Sequence, residues 1–87
     1  MKIYLVGDYG PEHNSIKSAH RTKAGALKAW NSHRLSLLHN AKQSLKGSKT
    51  EKDMWREMIK NLSCKDPKKI DNGAWETPFI REMKIEK

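Results

Sequence analysis

Histidine and cysteine are among the residue types that bind metal ions or act as nucleophiles, and this chain contains four histidines and one cysteine. His33 and His39 lie six residues apart, which separates them by about 120° on a helix, whereas two helical histidines that share one metal are four apart. No carboxylate lies close to them in sequence, so we predict no metal site and no cofactor. Cys64 has no histidine arranged with it and is interpreted as a half-buried residue at a helix end.

A second candidate for chemistry is GDYGPEH, residues 7–13, which contains the glycines of a potential phosphate loop. The GxxxxGK[ST] pattern is absent, and no GxGxxG connects a strand to a helix. The segment is therefore interpreted as a turn. No set of acid, base and nucleophile is visible elsewhere, so we predict that the protein is not an enzyme and has no catalytic residues.

Positive charge is concentrated in one part of the chain. The formal net charge is +8, and the 38 residues from His13 to Thr50 contain eight lysines or arginines and no aspartate or glutamate. The remaining 49 residues carry ten basic and ten acidic side chains, so they contribute no net charge. An acid-free basic segment indicates a contact surface for a polyanion or an acidic protein, because no local carboxylate repels the partner.

Runs of β-branched and aromatic residues predict three strands that position this segment. KIYLVGDY, residues 2–9, is apolar on both alternating faces, so we expect it at the centre of a sheet. NSIKSAHR returns after a short turn as a more polar edge strand. The third strand is expected within AWETPFIREMKIEK, with Pro78 near its start. One of its faces would carry Phe79, Met83 and Ile85, and the other Ile80, Glu82, Lys84 and Glu86.

Two consecutive helices are predicted between the second and third strands. Thr22 is a favourable N-cap for the first helix, whose apolar residues recur on one arc up to Gly47, which we expect at the C′ position. Ser48 and Glu51 have the spacing of a capping box, which predicts that a second helix starts there. The apolar stripe of that helix indicates packing in the core and consists of Met54, Trp55, Met58, Ile59 and Leu62. Residues 65–73 are expected to form a loop.

Arg34 is the exception in the first helix, because it projects within the apolar arc between Trp30 and Leu38. Three interpretations stay open: the side chain reaches past the edge of the core, pairs with a carboxylate of another element, or belongs to a binding surface. The opposite side of the helix is polar and basic, and its cations include Lys28, His39, Lys42 and Lys46.

The predicted order is β-β-α-α-β in a single domain, residues 1–87, which belongs to the α+β class. We expect a small three-stranded antiparallel sheet with strand order 2-1-3 and two helices packed on one face. The chain has no apolar run long enough for a membrane helix, no signal-peptide pattern at its start and a single cysteine. We therefore expect a cytoplasmic protein that does not contact membranes.

Three segments carry a resemblance to a known group of proteins. KIYLVGDYG, SAHRTKAGALKAW and PFIREMKIEK together resemble the frame of small uncharacterised bacteriophage proteins, in which a hairpin leads through Ser/Thr-Lys into an alanine-rich helix and the terminal strand reads aromatic-Ile-x-Glu. The resemblance covers the two ends, about half of the chain, and does not extend over residues 31–73. It implies an accessory or host-takeover protein in the host cell cytoplasm, and it supplies no functional residues.

From these patterns we predict a non-enzymatic protein that binds nucleic acid, DNA or RNA, through its basic helix face, with backbone contacts and little sequence specificity. The alternative is an inhibitor or modulator that docks the same face on an acidic host protein, such as a nucleic-acid-processing or defence enzyme. In both cases we expect a monomer or a weak homodimer. The residues expected to make the contact are Lys17, Arg21, Lys23, Lys28, Arg34, His39, Lys42, Lys46 and Lys49.

Overall fold

The computed structural model describes residues 1–11 and 13–85 of the 87-residue chain. Three strands and two helices follow one another in the order β-β-α-α-β, which confirms the predicted α+β class. Glu86, which the sequence places on one face of the third strand, lies outside the described residues. The elements are β1 (Lys2–Tyr9), β2 (Asn14–His20), α1 (Lys23–Gly47), α2 (Lys52–Leu62) and β3 (Thr77–Lys84).

The central strand of the sheet is β1, and it pairs antiparallel with β2 on one side and β3 on the other. The predicted strand order 2-1-3 is confirmed. The pairing with β2 shifts after Val6, because Val6 lies opposite Ser18 whereas Gly7 lies opposite Ile16. Lys17 is therefore an extra residue in β2, as in a β-bulge, and it lies on an edge strand as the sequence predicts.

Alternate residues of β1 face opposite sides of the sheet. Val6 is 1% exposed and packs beneath α1, and Asp8 on the same side reaches a side chain of α1. On the other side of the sheet Tyr9 stacks on Phe79 of β3, with ring centroids 6.0 Å apart. That second side is only partly covered, because several of its apolar residues remain exposed. They include Tyr9, Ile16 and Met83.

The helix α1 covers the inner side of the sheet and contacts all three strands, while α2 packs against α1. Trp30 and Ala26 of α1 are almost fully buried, and Leu62 of α2 joins them in the same cluster. Burial of a large apolar side chain contributes roughly 1.5–3 kcal/mol, so these contacts hold the helices to the sheet. The buried apolar cluster contains Val6, Ala26, Trp30, Leu38, Leu62 and Ile70.

The start of α1 is capped as the sequence predicts. The Thr22 hydroxyl accepts a hydrogen bond of 3.0 Å from the backbone N–H of Gly25. The end of α1 differs from the prediction. Gly47 is the last residue of the helix, and Ser48 follows it with extended backbone at φ −87° and ψ 134°. Gly47 does not adopt a left-handed conformation, so its assignment as a C′ residue is wrong.

The predicted capping box at the start of α2 does not form. The Ser48 hydroxyl donates to the backbone carbonyl of Thr50, and α2 begins at Lys52. Glu51 precedes the helix with left-handed backbone, at φ 60° and ψ 24°, and its side chain makes no capping hydrogen bond. The chain must reverse its direction between two packed helices within residues 48–51. Ser48 has extended backbone, but α2 begins three residues later than a Ser48 N-cap requires, so Glu51 precedes the helix in its place.

Replacing Glu51 with glycine should raise the free energy of unfolding by about 0.5–1 kcal/mol, because glycine adopts a left-handed backbone without steric cost at Cβ. The measurement is the urea midpoint of unfolding followed by circular dichroism. Thr50→Gly is the matched control, since Thr50 does not have a positive φ and gains nothing from glycine. A lower stability for Glu51→Gly than for Thr50→Gly would contradict the left-handed conformation.

Candidate nucleic-acid interface

Eight of the nine predicted contact residues are exposed. Four of them, at positions 28, 39, 42 and 46, lie within about 60° of one another on the outward side of α1. The other four flank this group in sequence: Lys17 lies in β2, Arg21 and Lys23 lie at the start of α1, and Lys49 follows its C-terminal end. We call the eight residues together the basic face, which consists of Lys17, Arg21, Lys23, Lys28, His39, Lys42, Lys46 and Lys49.

Acidic side chains are largely separated from the basic face. Within residues 1–11 and 13–85, every ion pair involves cations outside this face. Glu82 of β3 accepts a hydrogen bond from Lys2, with Nζ to Oε1 at 3.0 Å, and this contact lowers the pKa of Glu82 and raises that of Lys2. The charge of Lys23 lowers the pKa of Glu82 a little further. Lys23 therefore contributes less positive potential than the lysines farther along α1.

The ninth residue, Arg34, does not belong to the interface. It is 3% exposed, and its guanidinium lies 5.6 Å from the centroid of the Trp30 ring. Nη1 donates to the backbone carbonyl of Leu62 at 2.8 Å, and Nε and Nη2 donate to Oδ1 of Asn31 at 3.3 and 2.6 Å. The prediction that Arg34 contacts a partner is wrong, because the carbonyl at the end of α2 holds its side chain inside the protein.

Uncharged polar side chains lie between the cations on the outward side of α1. Ser32, Ser36 and Gln43 are exposed there, and each can donate a hydrogen bond to a phosphate oxygen. Leu35 interrupts this polar surface and is 46% exposed. The outward side of α1 is therefore basic and rich in donors, with one apolar position near its middle.

Two histidines that the sequence leaves apart come together in the structure. His13 Nε2 lies 3.1 Å from Oδ1 of Asp8, and His33 Nε2 lies 2.7 Å from Oδ2 of the same carboxylate. Sequence reasoning missed this cluster because it tested the spacing of His33 and His39 for a shared metal and did not consider His13 together with Asp8. The alternation of β1 contained the signal, since it places Asp8 on the same inward side as Val6, where an unpaired carboxylate is costly.

A cavity of about 560 Å³ lies between α1, α2, the β1–β2 turn and the segment before β3. Trp55 and Met58 of α2 line it together with Trp75, so part of the predicted core stripe faces this space. His13 and Glu76 contribute polar groups to the lining. A cavity of this volume falls within the range of small-molecule sites.

By its fold and surface, the protein belongs to the class of small α+β proteins that have a helix-covered antiparallel sheet and a basic helical face. Comparisons with protein-family models, curated proteins and solved structures gave no match. Neither helix of the described residues has the length and apolar character needed to cross a bilayer.

Proposed function

We propose that this protein is a non-enzymatic nucleic-acid-binding protein that contacts the phosphate backbone of DNA or RNA through its basic face. The observation that supports the proposal is the group of exposed cations on the outward side of α1, which have no acidic ion-pair partner within residues 1–11 and 13–85. Lysines on such a surface replace the counterions condensed on a nucleic acid, and the release of these ions favours binding.

The dimensions of α1 suit a run of several phosphates. Lys28 and Lys46 are separated by about 27 Å along the helix at about 1.5 Å per residue. That distance corresponds to roughly eight base pairs at about 3.4 Å per nucleotide of one strand. Because the strands wind around the duplex and α1 is straight, its cations can contact the phosphates that face the helix over this length.

Little sequence specificity is expected from these contacts. Lysine acts as a compact point charge, whereas bidentate recognition of guanine depends mainly on arginine. Because Arg34 is buried, the basic face contains a single arginine, Arg21. Binding should therefore depend on the density of phosphates more than on the order of bases.

Salt dependence tests this proposal directly. If about five phosphates are contacted on a duplex, the plot of log K against log salt should have a slope near −4 to −5. Lys42→Ala and Lys46→Ala should each reduce the steepness of that slope by about one. The measurement is fluorescence anisotropy of a labelled duplex between about 50 and 200 mM salt. Lys60→Ala on α2 is the control, because Lys60 is exposed and lies outside the basic face.

A flat salt response would contradict nucleic-acid binding, and an equal effect of Lys60→Ala would contradict the choice of surface. The same cations would then serve the alternative function, in which the basic face docks on the acidic patch of a host enzyme. Capture from a nuclease-treated host lysate distinguishes the two. A protein partner remains bound after nuclease treatment and is lost in the Lys42→Ala and Lys46→Ala variants.

A further inference from the structure

Asp8 is a carboxylate held inside the protein with histidines as its partners. Its side chain is 4% exposed, and it lies between His13 from the β1–β2 turn and His33 from α1. Within residues 1–11 and 13–85, no lysine or arginine forms an ion pair with it. Burial of a carboxylate is costly unless hydrogen bonds, a cation or a metal ion compensate it.

A second carboxylate approaches the same imidazole. Oε1 of Glu76 lies 3.7 Å from His13 Nε2, which is too long for a hydrogen bond. One ligand atom each from Asp8, His13 and Glu76 lie within 4.8 Å of one another. Two oxygens and one imidazole nitrogen therefore lie close together, with a longer separation between His13 and Glu76 than between His13 and Asp8.

We propose that Asp8, His13 and Glu76 bind a divalent transition-metal ion of the Zn²⁺ class. Zinc bonds of about 2.0–2.1 Å in a tetrahedral site place two ligand atoms about 3.3 Å apart. The observed 3.1 Å between His13 Nε2 and Asp8 Oδ1 and 3.7 Å between His13 Nε2 and Glu76 Oε1 bracket that value. The ion takes the place of the proton between His13 Nε2 and Asp8 Oδ1, and the neutral imidazole then carries its proton on Nδ1.

His33 acts as a positioning residue for this site. Its Nε2 donates to Oδ2 of Asp8 at 2.7 Å, which leaves Oδ1 directed at His13. Hydrogen bonds of this kind to a metal-binding carboxylate fix its orientation and raise the affinity of the site. The buried oxygen and its support are thus in place before an ion arrives.

The β1–β2 turn holds His13 close enough to Asp8 for the two side chains to bind the same ion. The backbone N–H of Gly10 donates to the carbonyl of His13 at 2.9 Å, which closes the turn. The imidazole rests against Gly10, where an added Cβ would lie 3.2 Å from Cε1 of the ring. His13 and Glu76 also line the cavity between the helices, so a fourth coordination position lies toward that space.

Titration with ZnCl₂ in a calorimeter tests the site, using the full chain without a polyhistidine tag. We expect one Zn²⁺ per chain, with affinity at least tenfold lower in each of His13→Ala and Glu76→Gln. These side chains are 44% and 50% exposed, so the variants should fold normally. Zn²⁺ at about 100 times its Kd should raise the Tm of the wild type by roughly 10–20 °C.

His39→Ala is the matched control, because His39 is an exposed histidine on the outward side of α1. It should retain the affinity of the wild type. The absence of binding heat in the wild type would overturn the proposal. Unchanged Zn²⁺ affinity in both His13→Ala and Glu76→Gln would also overturn it, since the ion would then be held elsewhere, for example by Cys64. Neither result affects the salt dependence that tests nucleic-acid binding.

Discussion

Replacing Gly7 with alanine is expected to lower the free energy of unfolding by about 3 kcal/mol or more. Gly7 is buried at the point where the β1–β2 register shifts, and a Cβ added there would overlap the backbone carbonyl oxygen of Ser15. A backbone atom in a paired strand cannot move aside as a flexible side chain does. The alanine variant must therefore separate β1 from β2 or abandon the bulge.

The matched control for this prediction is Gly47→Ala at the end of α1. A Cβ at Gly47 meets no atom within 4 Å, and the position is helical. Alanine there should raise stability by about 0.5–1 kcal/mol. Urea unfolding followed by circular dichroism compares the two variants. A loss of less than 1 kcal/mol for Gly7→Ala would contradict the close approach of β2.

Arg34→Met should lower the free energy of unfolding by about 2–3 kcal/mol, although methionine is apolar and of similar length. The carbonyl of Leu62 lies at the C-terminal end of α2, where backbone carbonyls have no partner within the helix. Arg34 satisfies it with a charged donor at 2.8 Å in a buried position. Methionine fills the space but leaves this carbonyl without a hydrogen bond, which costs about 1.5–3 kcal/mol.

Arg56→Met is the comparison for Arg34→Met. Arg56 forms an ion pair with Asp53, and both side chains are exposed. Exposed ion pairs contribute little to the free energy of unfolding. We expect a change below about 0.5 kcal/mol for Arg56→Met. The duplex salt slope of Arg34→Met should equal that of the wild type, measured at a temperature where both are folded. A shallower slope would show that Arg34 contacts phosphate and is not confined to the interior.

The fold could be predicted from the sequence because its strands and helices have different apolar periods. KIYLVGDY is apolar on both alternations, which favours a central strand, and α1 repeats its apolar residues along one arc. The errors occur at Gly47 and Glu51, where the two helices meet. Local residue preferences predict caps for isolated helices. They do not include the requirement that α1 and α2 pack against each other across a short connection.

The candidate site could be predicted less completely from the sequence, because its geometry depends on contacts between distant segments. Half of the basic face follows from the 3.6-residue period of α1, which places Lys28 and Lys42 away from the apolar arc. Arg34 lies on the apolar arc, and only the position of the Leu62 carbonyl decides that its guanidinium stays inside. The contact between Asp8 and His33 joins residues 25 positions apart, and no local pattern encodes it.

The length of α1 affects which part of the protein can unfold locally. Its 25 residues extend about 37 Å, whereas the eight-residue strands beneath it extend only about 26 Å. The C-terminal turns of α1 therefore depend on α2 for cover and not on the sheet. Amide hydrogens in these turns are therefore expected to exchange with solvent faster than those around Trp30, which the sheet covers. The positively charged end of α1 should be the less protected end of the helix.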